Sequence, residues 1–332
     1  MRKIHFTEEQ IKHIIKESVN EFHAYHASPN NFDKFNHKKY LGQGCGSQVF
    51  GWGTYITDDP YIANGYIDAF KKEHTITVDG EQITDAKQLA KVLGLPYNDI
   101  ILHAYRLLSQ RGEKMFYERY EEYIAIERRM RSNGEDESKK DSYDRVCQAI
   151  KVFELLLNEH KTHSEMTKPY LYEVDIPDDN GGNYIDWYGN FSHEFMYRVL
   201  KKLFSLKKSY LDIMAKNSYN FKSGLYFYIN GDKSLYDRLI DIISNEDDYR
   251  TFFNRGTSTS ERKPVGKDVY HTLQEWIGSP KGASLFLLQC GFDGIKYESG
   301  TRMDKPDGAS ENAENYVIFN ASKVKILKKD NG

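Results

Sequence analysis
The residues of this chain best suited to chemistry lie in three short stretches. The first is Tyr25-His26-Ala27-Ser28-Pro29, the second Gly51-Trp52-Gly53-Thr54-Tyr55, and the third centres on Tyr66, eleven positions after Tyr55. His26 offers ring nitrogens that can reach ribose hydroxyls. Ala27 and Ser28 are small enough for backbone N–H and C=O groups to approach a planar carboxamide. Gly51 and Gly53 permit backbone angles and close approaches that a Cβ forbids. Tyr55 and Tyr66 present aromatic faces on which a nicotinamide ring can stack. In this order the residues line a slot for a flat heteroaromatic ring attached to a ribose, which makes NAD the expected ligand.

The same stretches resemble the diphtheria-toxin and poly(ADP-ribose) polymerase branch of the ADP-ribosyltransferases. His26-Ala27-Ser28 is similar to the His-Gly-Ser motif of that branch. Phe50-Gly51-Trp52-Gly53-Thr54-Tyr55-Ile56-Thr57-Asp58 is similar to its Phe-Gly-x-Gly-Ile-Tyr-Phe-Ala-Asp segment, and Ala63-Asn64-Gly65-Tyr66 to its Ser-Ala-Asn-Tyr. The run His26 to Phe35 together with Gly42-Gln43-Gly44 resembles more closely the ADP-ribosyltransferase-like domains of phage and mobile-element polyvalent proteins. Towards the C-terminus, Leu287 to Tyr297 and Glu314-Asn315-Tyr316-Val317-Ile318-Phe319-Asn320 also resemble these domains. The resemblance implies an α+β fold with a split, mostly antiparallel two-sheet core and NAD bound in the cleft as a substrate, with no metal. It places His26, Ala27, Ser28, Gly53, Tyr55 and Tyr66 around NAD, with Tyr55 and Tyr66 sandwiching the nicotinamide.

One position departs from the family. Its catalytic strand carries a glutamate directly before a tyrosine, where this chain has Asn315 before Tyr316, and Glu314 stands one residue earlier. Cleaving the nicotinamide glycosidic bond passes through an oxocarbenium-like state, which a carboxylate on the ribose 2′-hydroxyl stabilises. Asparagine accepts the same hydrogen bond without the charge. Side chains alternate along a strand, so Asn315 and Glu314 point to opposite faces unless a bulge swings Glu314 inward. Three outcomes stay open: Asn315 serves a transferase that attaches a single ADP-ribose, Glu314 supplies the charge, or the cleft binds NAD without turnover. Water as the acceptor would make the chain an NAD glycohydrolase, and an idle cleft would leave a protein-interaction module.

These motifs must be positioned by the rest of the chain. Its 332 residues, 39% hydrophobic and 29% charged, suit a globular protein with one large or two modest cores. A net charge of −3 gives no global attraction for nucleic acid, so the unknown macromolecular acceptor is expected to be protein in preference to nucleic acid. Cys45, Cys147 and Cys290 are scattered, indicating neither a disulfide framework nor a zinc site. With no apolar run of about 20 residues, no membrane partner is expected and the location is read as the cytoplasm of a bacterial or phage-infected cell.

Residues 1–22 read as an amphipathic helix opened by Thr7-Glu8-Glu9-Gln10, followed by a single domain over 23–330. Two helical insertions interrupt that domain, at about 85–161 and about 192–254. The first reads as a helical hairpin; the second reads as helices around a loop near Asn217 to Gly231, where aromatic residues crowd. Lysines and aromatics interleave between Lys201 and Tyr210, a pattern read as the solvated and buried faces of one helix rather than a nucleic-acid surface. Tyr170 to Ile176 reads as an alternating strand. The polar loop Glu298 to Asn312, just before the catalytic strand, corresponds to the family's acceptor-selecting loop and makes Arg302 the candidate acceptor contact.

Overall fold
A computed structural model describes residues 22–41, 48–132, 140–179, 182–231, 233–244, 253, 264–300 and 306–331. The helix expected over 1–22 lies outside these residues except for Phe22, which instead starts a strand paired with Ile176. Gly42, Gly44 and Arg302 also lie outside them.

The fold is α+β, with a seven-stranded sheet of order β10-β6-β1-β2-β9-β8-β7 and a separate three-stranded sheet. The strands of the large sheet are β1 (Phe22–Ser28), β2 (Thr54–Thr57), β6 (Tyr170–Ile176), β7 (Tyr184–Asp186), β8 (Gly294–Glu298), β9 (Glu314–Ile318) and β10 (Lys325–Asn331). All neighbours are antiparallel except β7 and β8. β1 pairs with β6 along its whole length, from Phe22↔Ile176 to Ser28↔Tyr170, but meets β2 at the single pair Tyr25↔Thr57. In place of the two-sheet core expected, one sheet runs through, but its ladder narrows to a single pair between β1 and β2, and the two strands part beyond it.

β6 alternates as expected, with Tyr172, Val174 and Ile176 buried and Pro177 ending the strand. Beneath it Phe32 stacks on Tyr172 at 4.4 Å. The Tyr172 hydroxyl donates to the Asn30 carbonyl and accepts from the Phe32 N–H, both at 2.9 Å, which fixes the loop leaving β1. Helix α1 (Pro60–Phe70) crosses the parting of the sheet. Asp59 caps it through Oδ1, Pro60 takes the first position where no N–H is needed, and Ile62, Ala63, Ile67 and Phe70 form its buried stripe.

The helices expected over about 85–161 belong to a wider unit, from His74 to Met166, that has its own sheet and its own core. Strands β3 (His74–Val78), β4 (Glu81–Ile83) and β5 (Thr162–Met166) form the small sheet, covered by α2 (Ala86–Val92), α3 (Asp99–Ser132) and α4 (Lys140–Glu154). α3 and α4 pack against each other as the hairpin expected, with Phe116 stacked on Phe153 at 4.1 Å. α3 breaks at Gly112, whose φ of 74° suits glycine and whose missing Cβ makes room for the His74 ring.

The second insertion comprises α5 (His193–Phe204), α6 (Lys208–Asn217) and α7 (Leu235–Ser244), packed with α8 (Gly266–Ile277) and α9 (Pro280–Gln289). The stretch Lys201 to Tyr210, expected on one helix, is divided: Lys201 to Phe204 closes α5, with Val199, Leu200 and Leu203 buried and Lys201 facing solvent, the chain turns at Ser205 to Lys207, and Lys208 opens α6. The loop expected near 217–231 is instead two short helices, Tyr219–Ser223 and Leu225–Ile229. Burial of Phe221 against Trp276, with ring centroids 4.9 Å apart, and of Leu225 and Ile229 outweighs the turn-like composition. Among the described residues no helix is long and apolar enough to cross a membrane.

Candidate functional site
Where β1 and β2 part, a cleft encloses about 970 Å³ of empty space, counting its open mouth. His26, Ala27 and Ser28 of β1, Gly53 and Tyr55 at β2, Tyr66 of α1 and Asn315 of β9 all line it. His26 bridges the parting: its Nδ1 donates to the Tyr55 carbonyl at 2.7 Å, supplying the hydrogen bond that the β1 backbone does not make there. In the neutral ring this bond leaves Nε2 as the acceptor. Phe35, at 5.1 Å and edge-on, and Phe32 and Tyr172 crowd the ring. Burial pushes its pKa down to about 4, against a smaller upward pull from the Tyr55 carbonyl, so His26 is neutral at pH 7.

Past Tyr25 the cleft-side edge of β1 has no strand partner among the described residues, which leaves backbone groups around Ala27 to a ligand. Ser28 is buried, and its hydroxyl accepts from the Asn30 N–H at 3.1 Å, so part of its capacity holds the turn.

The segment before β2 is held by two tyrosine hydroxyls. Tyr55 donates to the Gly51 carbonyl at 2.9 Å and accepts from the Phe50 N–H at 3.0 Å, which fixes its own ring at the cleft wall. Tyr270 accepts from the Trp52 N–H at 2.9 Å. The glycines here serve packing inside the protein. A Cβ on Gly53 would stand 2.6 Å from the Ile318 carbonyl oxygen, and Gly51 has a φ of 111°.

β9 settles which face each candidate on it takes. Its register is unbroken on both sides, Thr57↔Asn315 to Thr54↔Ile318 with β2 and Gly294↔Ile318 to Glu298↔Glu314 with β8, and no bulge turns Glu314 inward. Asn315 lines the cleft, and no hydrogen bond to its side-chain amide exists among the described residues. Glu314 lies away from the cleft, where it accepts from the Tyr316 hydroxyl at 2.7 Å and stands 3.9 Å from Lys296 Nζ. The Asp58 carboxylate accepts from the Glu314 N–H at 2.9 Å, and the Asp58 N–H donates to the Glu314 carbonyl at 3.1 Å. That double bond pins the backbone directly before Asn315. Burial raises the Asp58 pKa, partly offset by the Glu314 N–H. Asp59 links two other parts: its Oδ1 caps α1, which carries Tyr66, and its Oδ2 accepts from the Ser310 N–H at 2.7 Å.

Several lining residues were not singled out from the sequence. His37 accompanies Thr54 across the mouth, its Nε2 2.7 Å from Thr54 Oγ1, and its ring stands edge-on to Trp52 at 4.7 Å. Burial and the nearby Lys281 charge push its pKa down to about 4. Tyr297 also lines the cleft and stacks on Phe50 at 3.8 Å. His37 sits in a Lys-rich one-turn helix, His37–Tyr40, whose composition reads as solvated, and Tyr297 is one of 25 tyrosines; neither carries a local signal. The described lining contains no carboxylate, lysine or arginine. Comparison with protein-family models, curated proteins and solved structures found no match.

Proposed function
We propose that the chain is an NAD-dependent mono-ADP-ribosyltransferase, cleaving the nicotinamide glycosidic bond and transferring ADP-ribose to a macromolecular nucleophile. The observation that carries this reading is convergence: His26, Tyr55, Tyr66 and Asn315 come from four separate elements and face one cleft at the parting of the sheet. Nicotinamide stacks between Tyr55 and Tyr66, with its carboxamide on backbone groups of Ala27. His26 Nε2 accepts a ribose hydroxyl, and the Asn315 amide oxygen accepts the 2′-hydroxyl.

As the C1′–N bond breaks, the electron pair leaves with neutral nicotinamide and positive charge develops at C1′. The Asn315 dipole, held against the 2′-hydroxyl, stabilises that charge less than a carboxylate would, since charge-assisted hydrogen bonds are roughly twice as strong as neutral ones. The acceptor nucleophile then bonds to C1′ and gives up its proton. With Glu314 turned away, a slow transferase is expected. The lack of a carboxylate in the described lining favours a second reading, NAD binding without turnover.

The test is to incubate the purified chain with NAD labelled in its adenine, bacterial lysate and nucleic acid, following the label and free nicotinamide. Label on a macromolecule supports the transferase and reveals the acceptor class. Nicotinamide without attached label means a glycohydrolase, and bound NAD with neither product means the idle reading.

A further inference from the structure
We infer that the second insertion carries a binding groove for single-stranded nucleic acid, on α6 and the two short helices that follow it. On α6, Asp212, Ala215 and Lys216 share a face by their spacings of three and four; past the extended Ser218, Tyr219 and Lys222 of the first short helix and Tyr226 of the second join them, and together these six residues line one shallow groove. The buried residues of the same helices, Leu211, Met214 and Phe221, lie on the opposite side against the core.

Charge in this groove is unbalanced in one direction. Its lining carries two lysines, Lys216 and Lys222, against a single carboxylate, Asp212, on a protein of net charge −3. Asp212 is already engaged, accepting from Lys208 Nζ at 2.7 Å and from the Tyr226 hydroxyl at 2.6 Å. Lys216 and Lys222 are exposed and have no salt-bridge partner among the described residues. The uncompensated charge of the groove is thus positive and fits a polyanion.

The aromatic rings narrow the class of polyanion. Tyr219 is 80% exposed, far more than a ring with an intramolecular packing role. Tyr226 is instead fixed by Asp212, a rigid ring at the groove wall. Cations interleaved with aromatic faces are the arrangement on which unpaired bases stack while lysines follow the phosphates; a duplex offers no base faces to such rings. A phosphorylated or acidic protein would use the lysines and leave the rings idle.

The experiment measures fluorescence anisotropy of labelled twelve-nucleotide oligo(dT) and oligo(rU), and of a duplex of equal length, with the full chain at two salt concentrations. Comparison is with Lys216→Glu/Lys222→Glu and with Tyr219→Ala, all exposed positions that leave the core intact. Single strands are expected to bind more tightly than the duplex. The double charge reversal is expected to weaken binding at least tenfold and to flatten the salt dependence by about 1.4 in log–log slope, for two phosphate contacts. Tyr219→Ala is expected to weaken it about fivefold or more. Absence of oligonucleotide binding at low salt, binding that both variants leave unchanged, or equal affinity for the duplex would each overturn the inference. So would oligonucleotides failing to bind while a photo-reactive residue in place of Tyr219 captures a protein. None of these outcomes depends on turnover of NAD.

Discussion

His26 and Tyr55 are joined across the parting of the sheet by a 2.7 Å hydrogen bond from the imidazole Nδ1 to the strand carbonyl. This one contact closes the ladder where β1 and β2 separate, selects the tautomer of His26 and leaves Nε2 as its acceptor. On the proposed function, a structural and a ligand-binding task rest on the same ring.

Replacing His26 with Ala is expected to remove both at once. The Tyr55 carbonyl loses its partner and the Phe35 and Phe32 rings lose a neighbour, at a cost of roughly 1–3 kcal/mol in folding stability. NAD binding falls as well. Urea unfolding and calorimetric titration of the same variant check the two effects, and unchanged stability would show that the hydrogen bond contributes nothing.

The opposed orientations of Asn315 and Glu314 give a paired prediction. Asn315→Glu sets a carboxylate against the ribose and is expected to speed nicotinamide release about tenfold or more. Glu314→Gln, on the far face, should leave the rate within about twofold. Rates measured by nicotinamide release decide it; a large loss in Glu314→Gln with no gain in Asn315→Glu would move the catalytic role to Glu314.

Acid should destabilise the protein in a defined window. His26 and His37 titrate near pH 4 in the fold and near 6.5 when unfolded, so between these values the unfolded chain binds protons that the folded chain refuses. Stability is full above about pH 6.5, declines as pH falls towards 4, and levels below it with respect to these two groups. Each shift corresponds to about 3 kcal/mol at most, and less in practice because both rings open partly to solvent in the cleft. Unfolding curves at pH 7, 6, 5 and 4 check this, with the decline reduced in His37→Asn.

Tyr66 tests the stacking arrangement by itself. Tyr66→Ala is expected to weaken NAD binding by about 1–3 kcal/mol, from lost stacking and burial, with little change in fold stability because the ring is only half-buried. Unchanged affinity in calorimetry would remove Tyr66 from the site.

Gly53→Ala tests the packing of β2 on β9. With backbone and not a flexible side chain 2.6 Å from the new methyl, the strands must shift, and a loss of about 1–3 kcal/mol in urea unfolding is expected. A neutral change would mean that the strands yield freely.

Much of the cleft was legible in the sequence because its residues carry local signals. Small residues beside His26, glycines before Tyr55 and the eleven-residue offset of Tyr66 are visible in the sequence, and the structure brings His26, Tyr55 and Tyr66 to one cleft. The orientation of Glu314 was not legible, since it depends on whether β9 pairs without a bulge, a property of its neighbours β2 and β8. His37 and Tyr297 reach the cleft only through tertiary placement. The short helices after Asn217 escaped detection because burial of Phe221 and Leu225 against distant segments, rather than local preference, makes them helical. Arg302, the candidate acceptor contact, lies outside the described residues, although the following turn is anchored to α1 through Ser310 and Asp59.

The most direct test is the rate of nicotinamide release from NAD by the wild-type chain beside Asn315→Ala, a half-buried position whose amide makes no hydrogen bond among the described residues, so that its loss is expected to leave the fold intact. Release by the wild type, slowed about a hundredfold or more in the variant, is the predicted result. No release by the wild type, or equal rates in both proteins, would contradict a cleft that cleaves NAD at Asn315.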